Sequence, residues 1–392
     1  MLRHLDLSPL IESDRKDIVS VALDIDPTKP EHQDNNPAYR IWLRNALRDT
    51  LEGLPKEERR AADNGARRIL GFVEEHRALN GRGLAIFAGP DLWREYLLPV
   101  PLPNSARYGR PDVWPLLWAA DEYEPCAVLA VFRDHARILM AYLGQTAVLD
   151  EEALVLDTST WRFKAGRQPT FSRGTGVGAS RGTQRDTFEA RVEDHIRRFW
   201  AGVAEAAAHL VRESRIDRVV IGGPEEVASA VRDLLPDDVR ARVVGIVHLP
   251  GYAGDAELRD RVLPVALAGK HRREEELVTE VLDRAAGRSG AVTGRPATLD
   301  ALARKQVQIL VVDRDVTGQV WQCGHCAFTS AVPITHCPTC GSPVEAVALP
   351  QVLPVLARRS GARISIVSGQ PAARLRTHEG IGALLRYVTA AR

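Results

Sequence analysis

The chain has 392 residues, of which 45% are hydrophobic and 26% are charged, and its formal net charge is +1. This length predicts two or three domains, and this composition is typical of a globular protein. A net charge so close to zero excludes a globally polycationic protein, so any binding of nucleic acid must come from local basic patches.

The sequence carries no signal for a membrane or for export. No apolar run approaches the ~20 residues that span a bilayer. The N-terminal residues contain acids and lack the apolar core of a signal peptide. We therefore expect a cytoplasmic protein that makes no contact with membranes.

Residues 1–115 predict a mixed α+β N-terminal domain. Apolar, β-branched runs predict its strands, and longer amphipathic stretches predict its helices. The charge-dense stretch 56–68 (KEERRAADNGARR) is typical of a solvated helix face, and an RNA-contacting tip is the alternative. The predicted elements are strands at 18–23, 84–88 and 93–100 and helices at 37–53 and 56–79.

Residues 116–268 predict a second domain, in which a hairpin is followed by alternating helices and strands. Proline and tryptophan cluster at 111–118 (PDVWPLLW), which predicts a linker or a domain edge. Strands that alternate with helices predict parallel pairing with right-handed crossovers. The predicted elements are strands at 127–132, 137–143, 147–156, 218–221 and 243–247 and helices at 185–213, 225–235 and 255–265; a further helix is predicted at 274–286, within the third domain.

Residues 269–392 predict a third domain, again α/β, with a zinc ribbon inserted at 319–347. The Gly/Pro-rich stretch 287–299 predicts a surface loop. The other predicted elements are helices at 299–305 and 351–359, strands at 307–312 and 362–367 and a final apolar stretch at 380–388.

A basic, glycine-containing loop is predicted at 161–185, between the hairpin and the long helix. It contains no acid, so its cations repel one another unless a polyanion is present. We expect it to contact RNA phosphates, with Trp161, Phe163 and Phe171 available to stack on bases. A surface loop without a partner is the alternative. The candidate RNA-binding residues are Arg162, Lys164, Arg167, Arg173, Arg181 and Arg185.

A long amphipathic helix is predicted directly after this loop. Apolar residues at 188, 192, 196, 199, 203, 207 and 210 follow helical spacing. Thr183 is the predicted N-cap. His195 on this helix predicts a surface residue, because no serine or acid completes a catalytic set with it.

The glycines of the loop do not make a nucleotide site. Gly174, Gly176 and Gly178 precede a helix, but no strand precedes them, as a dinucleotide fingerprint requires. The absence of a Gly-Lys-Ser/Thr sequence excludes a P-loop.

Four of the five cysteines form two Cys-x-x-Cys pairs: Cys323 with Cys326, and Cys337 with Cys340. Two such knuckles place four thiolates around one Zn²⁺, and four thiolates leave no open position, so the predicted zinc is structural. His325 and His336 are alternative ligands. Cys126 lies in an apolar run and predicts a buried core residue.

The order of these features resembles the class-1 peptide chain release factors of archaea and eukaryotes, their relative Pelota, and the bacterial branch that includes the Balon family of ribosome hibernation factors. The resemblance covers about 116–392. It rests on the hairpin, the loop, the helix RDTFEARVEDHIRRF, the strands RVVIGG and VVGIV, the Cys-x-x-Cys insert and the ending GIGALLRY.

The resemblance implies that residues 161–185 correspond to the tip that enters the peptidyl-transferase centre. Release factors carry Gly-Gly-Gln there, and this chain has Gly182, Thr183 and Gln184. Threonine lacks the backbone freedom of glycine, which favours binding without hydrolysis. The stop-codon motif Asn-Ile-Lys-Ser is absent from residues 1–115, so codon reading is not expected.

The resulting hypothesis is a monomeric translation factor in the ribosomal A site, in contact with rRNA and acting in hibernation or stalled-ribosome rescue. Elongation factor Tu or another translational GTPase is the implied protein partner. One alternative is a peptidyl-tRNA hydrolase or release factor in which Gln184 positions water. Another is an RNA-binding stress protein that does not bind ribosomes.

Overall fold

A computed structural model of the chain describes residues 5–34, 36–76, 79–153, 182–250 and 254–387. Two compact units result, one formed by Pro125–Gly269 and the other by Arg3–Glu124 together with Lys270–Arg392. The fold is mixed α/β with several sheets, as predicted. The finer division at 1–115, 116–268 and 269–392 stays a prediction.

The N-terminal part of the larger unit is built on an antiparallel sheet in the order β3-β2-β1-β4. The central strand β1 is the apolar run IVSVALD, and its first six residues are buried. Helices α2 and α3 pack on this sheet through buried residues such as Leu43, Leu47 and Ile69. The elements are α1 (Ser8–Ile11), β1 (Ile18–Asp24), a 3-10 turn (Pro30–His32), α2 (Ala38–Glu52), α3 (Lys56–Glu75), β2 (Gly83–Gly89), β3 (Leu92–Leu98), β4 (Ser105–Gly109) and α4 (Trp114–Glu122).

Of the two alternatives for 111–118, the linker is wrong, because most of this stretch forms the buried helix α4; the domain edge stays a prediction. Pro115 is tolerated in the first turn, where its missing N–H has no helical partner. Trp114, Leu116 and Trp118 are buried. The indole Nε1 of Trp114 donates to the carbonyl oxygen of Arg314 at 2.9 Å. A helix that is apolar on most sides lacks the stripe by which a sequence reveals amphipathic helices.

The smaller unit contains a five-stranded sheet in the order β7-β6-β5-β8-β9. The hairpin strands β5, β6 and β7 are antiparallel, whereas β5, β8 and β9 are parallel. The predicted hairpin and the predicted parallel pairing are both confirmed. The elements are β5 (Cys126–Val131), β6 (His135–Tyr142), β7 (Gln145–Ala153), α5 (Gly182–Glu213), β8 (Val219–Gly222), α6 (Glu225–Leu234), α7 (Asp237–Arg240), β9 (Val243–Val247) and α8 (Asp255–Ala286), of which the residues from Lys270 onward belong to the larger unit.

Helix α5 packs its predicted apolar stripe on this sheet. Ile196, Val203 and Ala207 are buried, and the indole Nε1 of Trp200 donates to the carbonyl oxygen of Phe132 at 3.1 Å. The helix begins at Gly182, so Thr183 lies within the first turn and is not the N-cap.

Helix α8 is one continuous helix, although two were predicted. Leu258, Val262 and Ala266 are spaced four residues apart and are buried, which holds this part of the helix in place despite Pro264 inside it. Gly269 allows a close approach, because a Cβ there would lie 2.6 Å from the Cβ of Val244. Packing therefore outweighs the local breakers that suggested a gap.

The C-terminal part of the larger unit has a sheet in the order β10-β16-β11-β15. Strands β11 and β15 are parallel, and β16 is antiparallel to β11. The predicted surface loop 287–299 is wrong, since it contains β10 and the start of α9. The elements are β10 (Ala291–Thr293), α9 (Arg295–Ala303), β11 (Val307–Asp313), β12 (Gln319–Cys323), β13 (Thr329–Ser330), β14 (Val344–Ala348), α10 (Leu349–Ser360), β15 (Arg363–Val367), α11 (Gly369–Arg376) and β16 (Ile381–Leu385).

Within the described ranges, no helix combines the length and the apolar character that crossing a membrane requires.

Candidate metal centre and the predicted loop site

Four cysteines meet at one end of a small three-stranded sheet, in the order β13-β12-β14. Cys323 is the last residue of β12, and Cys337 and Cys340 lie in the connection between β13 and β14. The four sulfur atoms all lie within 4.8 Å of one another. The spacing of the two Cys-x-x-Cys pairs therefore does bring all four predicted side chains together.

The two knuckles have the same backbone geometry. In each, the N–H four residues after the first cysteine donates to that cysteine's carbonyl: Ala327 to Cys323 at 3.1 Å and Gly341 to Cys337 at 2.9 Å. Both donors have positive φ, 57° for Ala327 and 73° for Gly341. Because glycine adopts this conformation without strain, Gly341 suits its position better than Ala327 does.

The charge of the four sulfurs is unevenly distributed. The hydroxyl and the backbone N–H of Ser342 stabilise the thiolate of Cys340 and lower its pKa to about 6. The N–H of Phe328 acts in the same direction on Cys326 and is the largest single influence, but the three neighbouring sulfurs and burial together outweigh it and raise that pKa to about 12. Several thiolates so close together require a cation to hold them all ionised.

The donor set fits Zn²⁺. Zinc–thiolate bonds of about 2.3 Å give sulfur–sulfur separations of about 3.8 Å in a tetrahedron. The observed separations include 3.5 Å for Cys323–Cys340 and 3.4 Å for Cys326–Cys337. Among the described residues, no histidine joins this group, so neither His325 nor His336 belongs to the cluster.

Ion pairs and hydrogen bonds anchor the ribbon to the N-terminal part of the same unit. The Arg110 guanidinium donates to Gln322 Oε1 at 2.6 Å and to Glu345 Oε1 at 3.3 Å. Lys16 Nζ lies 2.6 Å from Glu345 Oε2. Gln322 is 2% exposed, so these partners hold a buried polar group that precedes Cys323 directly.

The predicted RNA site falls mostly outside the described residues. The segment between the end of β7 and the start of α5 carries Arg162, Lys164, Arg167, Arg173 and Arg181, and all five lie outside the described ranges. Gly182, Thr183, Gln184 and Arg185 are the first four residues of α5. The assignment of these residues to RNA binding or catalysis stays a prediction.

Sequence reasoning missed a buried ionic group, which we call the Lys270 cluster: Lys270, Asp121, Glu122 and Glu274. The Lys270 Nζ lies 3.0 Å from Asp121 Oδ2 and 3.5 Å from Glu122 Oε2, and it also contacts Glu274. Its side chain is 4% exposed. Asp121 Oδ2 also accepts the N–H of Ile366 at 3.0 Å, which ties α4 to β15.

The pKa values of this cluster reflect its burial. Burial alone would lower the pKa of Lys270, but the three carboxylates outweigh it and raise that pKa to about 12. Burial raises the pKa of Asp121 and of Glu274, although Lys270 opposes it. Four residues from two distant parts of the chain meet here, so the spacing of residues in the sequence does not predict the cluster.

Comparison with known proteins identifies the middle of the chain. Residues 111–267 match the model of bacterial archaeo-eukaryotic release factor family 10. This region is therefore similar to the bacterial branch of the release factor and Pelota superfamily. The predicted resemblance is confirmed for these residues, and the family 10 region contains α4, the whole five-stranded sheet and the predicted loop.

Solved structures of release factors and Pelota proteins are similar at low identity. The archaeal termination factor aRF1 is 16% identical, with 96% of this chain and 94% of that chain covered and a TM-score of 0.27. Dom34 of S. cerevisiae is 12% identical, with 76% and 75% covered and a TM-score of 0.41. Pelota of Archaeoglobus fulgidus is 16% identical, with 80% and 82% covered and a TM-score of 0.32. No curated protein matches the chain in sequence.

The family 10 region and the metal centre are separate in the sequence. The match ends at residue 267, and the ribbon begins with β12 at Gln319. The family 10 match therefore carries no information on the function of the ribbon.

Proposed function

We propose that this protein is a cytoplasmic translation factor that binds the ribosomal A site, in hibernation or stalled-ribosome rescue, without hydrolysing peptidyl-tRNA. The observation that carries the proposal is the family 10 match over 111–267, because the cationic segment lies inside the matched region. Similar solved structures include a model of ribosome-bound archaeal Pelota with ABCE1 and a structure of Dom34, which is described as interacting with Hbs1. A translational GTPase such as elongation factor Tu is the corresponding protein partner we propose.

The proposed contact with rRNA is electrostatic. Six Arg/Lys side chains and no acid occupy residues 161–185, and each cation that neutralises a phosphate releases counterions. The net charge of the whole chain is only +1. We therefore expect ribosome affinity to depend on this segment far more than on the overall charge.

The proposal excludes peptide release because of the residues at 182–184. Gly182, Thr183 and Gln184 form the start of helix α5, and Thr183 stands where release factors have a second glycine. A β-branched residue restricts the backbone that must approach the reacting ester.

The proposed cofactor is one structural Zn²⁺ held by Cys323, Cys326, Cys337 and Cys340. When bound, the ion balances the thiolate charge and cross-links β12 to the connection between β13 and β14. The ribbon has few buried apolar residues of its own, among them Val320 and Val347, so we expect its fold to depend on the metal.

The first test combines ribosome binding with peptide release. The full chain is sedimented with 70S ribosomes at increasing salt, as wild type and as the triple variant Arg162→Ala, Lys164→Ala and Arg167→Ala. We expect the variant to bind at least about tenfold more weakly and to lower the slope of log affinity against log salt by about 0.7–0.9 per lost phosphate contact.

Control variants and a second readout decide between the candidate functions. The triple variant Arg232→Ala, Arg240→Ala and Arg242→Ala removes three arginines from the same unit and should bind normally. Peptide release from loaded ribosomes that is lost in Gln184→Ala would instead identify a hydrolase. If wild-type protein does not sediment with ribosomes at moderate salt but binds free RNA, the non-ribosomal stress protein is favoured.

A further inference from the structure

The N-terminal part of the larger unit has a surface groove between α2 and α3. One face of α2, spaced as in a helix, supplies one wall, and one face of α3 supplies the other. The groove encloses about 240 Å³. Its lining residues are Arg44, Leu47, Arg48, Leu51 and Glu52 from α2 and Arg59, Asp63, Ala66, Arg67 and Leu70 from α3.

The floor of this groove is apolar. Leu47 and Ala66 are each 2% exposed and belong to the domain core. Leu51 and Leu70 are half-buried and pack against that core. Water on such a floor is released when an apolar side chain covers it, which favours a partner with apolar side chains of its own.

The rim of the groove is mainly cationic, with four arginines and two acids. Arg44 and Arg48 lie one helical turn apart on α2 and are exposed. Arg48 Nε is 3.7 Å from Asp49 in a pair whose side chains are 64% and 71% exposed. A pair so exposed is weak, so both arginines remain able to bind an acidic partner.

The walls are preformed. Arg59 Nε donates to the carbonyl oxygen of Leu51 at 3.1 Å, and its NH2 donates to those of Glu52 and Leu54 at 3.0 and 3.2 Å. These bonds fasten the start of α3 to the carbonyl end of α2. A partner therefore does not have to order the groove on binding, which lowers the cost of association.

We propose that the α2–α3 groove docks an acidic amphipathic helix of a partner protein. Apolar side chains of that helix would cover Leu51 and Leu70, and its carboxylates would pair with Arg44 and Arg48, because Arg67 already pairs with Asp63. Helix-in-groove recognition uses this combination of apolar anchors and flanking charges. The apolar floor and the use of Arg59 by backbone carbonyls favour a peptide over RNA. This surface is independent of the ribosome contact proposed for residues 161–185.

The test uses the full, zinc-loaded chain and a fluorescent peptide of ~16 residues, about four helical turns, with Leu at helical i, i+3, i+4 and i+7 positions and Glu at the others. One control peptide replaces every Glu by Lys, and another replaces every Leu by Ser. We expect anisotropy to report binding of the first peptide only. The double variant Arg44→Glu and Arg48→Glu should weaken it at least about tenfold.

The matched control is the double variant Arg284→Glu and Arg304→Glu, which reverses two exposed arginines elsewhere in the same unit, one on α8 and one directly after α9, and should bind normally. Thermal melting shows whether each variant is folded. The proposal is overturned if the acidic peptide does not bind, if the Lys peptide binds as well, or if the Arg44/Arg48 variant retains full affinity. A 12-mer RNA that binds with a stronger dependence on Arg44 and Arg48 than the peptide would also overturn it.

Discussion

The four-cysteine centre and the Lys270 cluster balance closely spaced negative charges in different ways. Each brings together several anionic or ionisable groups that repel one another. In the ribbon, we propose that a metal ion supplies the positive charge, and two of the sulfurs remain exposed. In the Lys270 cluster, a single ammonium group faces three carboxylates inside the protein, and its side chain is 4% exposed.

The difference lies in what each arrangement depends on. The cysteines lie within 18 residues of sequence, so the knuckles form locally and their stability follows the metal. The Lys270 cluster joins α4 to α8, about 150 residues apart, and its stability depends on the complete fold of the unit. Removing the metal should therefore have a local effect on the ribbon, whereas removing the charge of Lys270 should affect the whole larger unit.

Removal of the metal should give the largest change in the free energy of unfolding, and this change should be confined to the ribbon. Structural zinc in small knuckles binds with apparent free energies of about 10–16 kcal/mol near neutral pH. We expect a chelator, or Cys337→Ser, to expose amides of β12, β13 and β14 to hydrogen exchange, while β11 and β15 stay protected. Mass spectrometry of the exchanged peptides measures both, and metal analysis confirms the loss of zinc.

Cys126→Ser is the control for this experiment, because Cys126 is buried outside the ribbon. It should leave the metal content unchanged. Loss of protection throughout the larger unit on chelation would show that the ribbon is not a separate module.

Substitution of Lys270 should give the next largest change. In Lys270→Met three carboxylates lose their counter-charge in a buried site, which costs about 3–5 kcal/mol of unfolding free energy. Unlike chelation, this should lower the cooperative stability of the whole larger unit. Denaturant unfolding at pH 7 measures it.

The pH dependence of Lys270→Met follows from the raised pKa values of Asp121 and Glu274. Groups whose pKa is higher in the folded state take up protons on folding, so their contribution falls as pH rises through the folded pKa. The variant should therefore regain part of its lost stability as the pH is lowered from 7. A loss that does not change over this range would mean that the carboxylates are not the cause.

The contrast also explains how much could be predicted. Cys323 and the three other cysteines were predicted because the cysteines of zinc knuckles have short, fixed spacings in the sequence. Strand β1 was predicted because it is a short, β-branched apolar run, and helix α5 because its apolar residues follow helical spacing. Helix α4 was missed because its apolar residues form no stripe. The Lys270 cluster was missed because two of the three partners of Lys270, Asp121 and Glu122, are brought to it by tertiary contacts with a distant segment, which periodicity does not encode.

The weakest expected effect is that of His271, at the solvent side of the same cluster. Its Nε2 lies 2.9 Å from Glu122 Oε1, but the histidine side chain is 51% exposed. A hydrogen bond at such an exposed position contributes below about 1 kcal/mol. His271→Ala should therefore change the unfolding free energy only slightly. His209→Ala is the matched control, since His209 is 79% exposed on α5 and lies 3.6 Å from Glu213. If His271→Ala alone lost more than about 2 kcal/mol of unfolding free energy, the carboxylates would depend on this imidazole as well as on Lys270. The cluster would then resemble the ribbon in depending on a group at the protein surface.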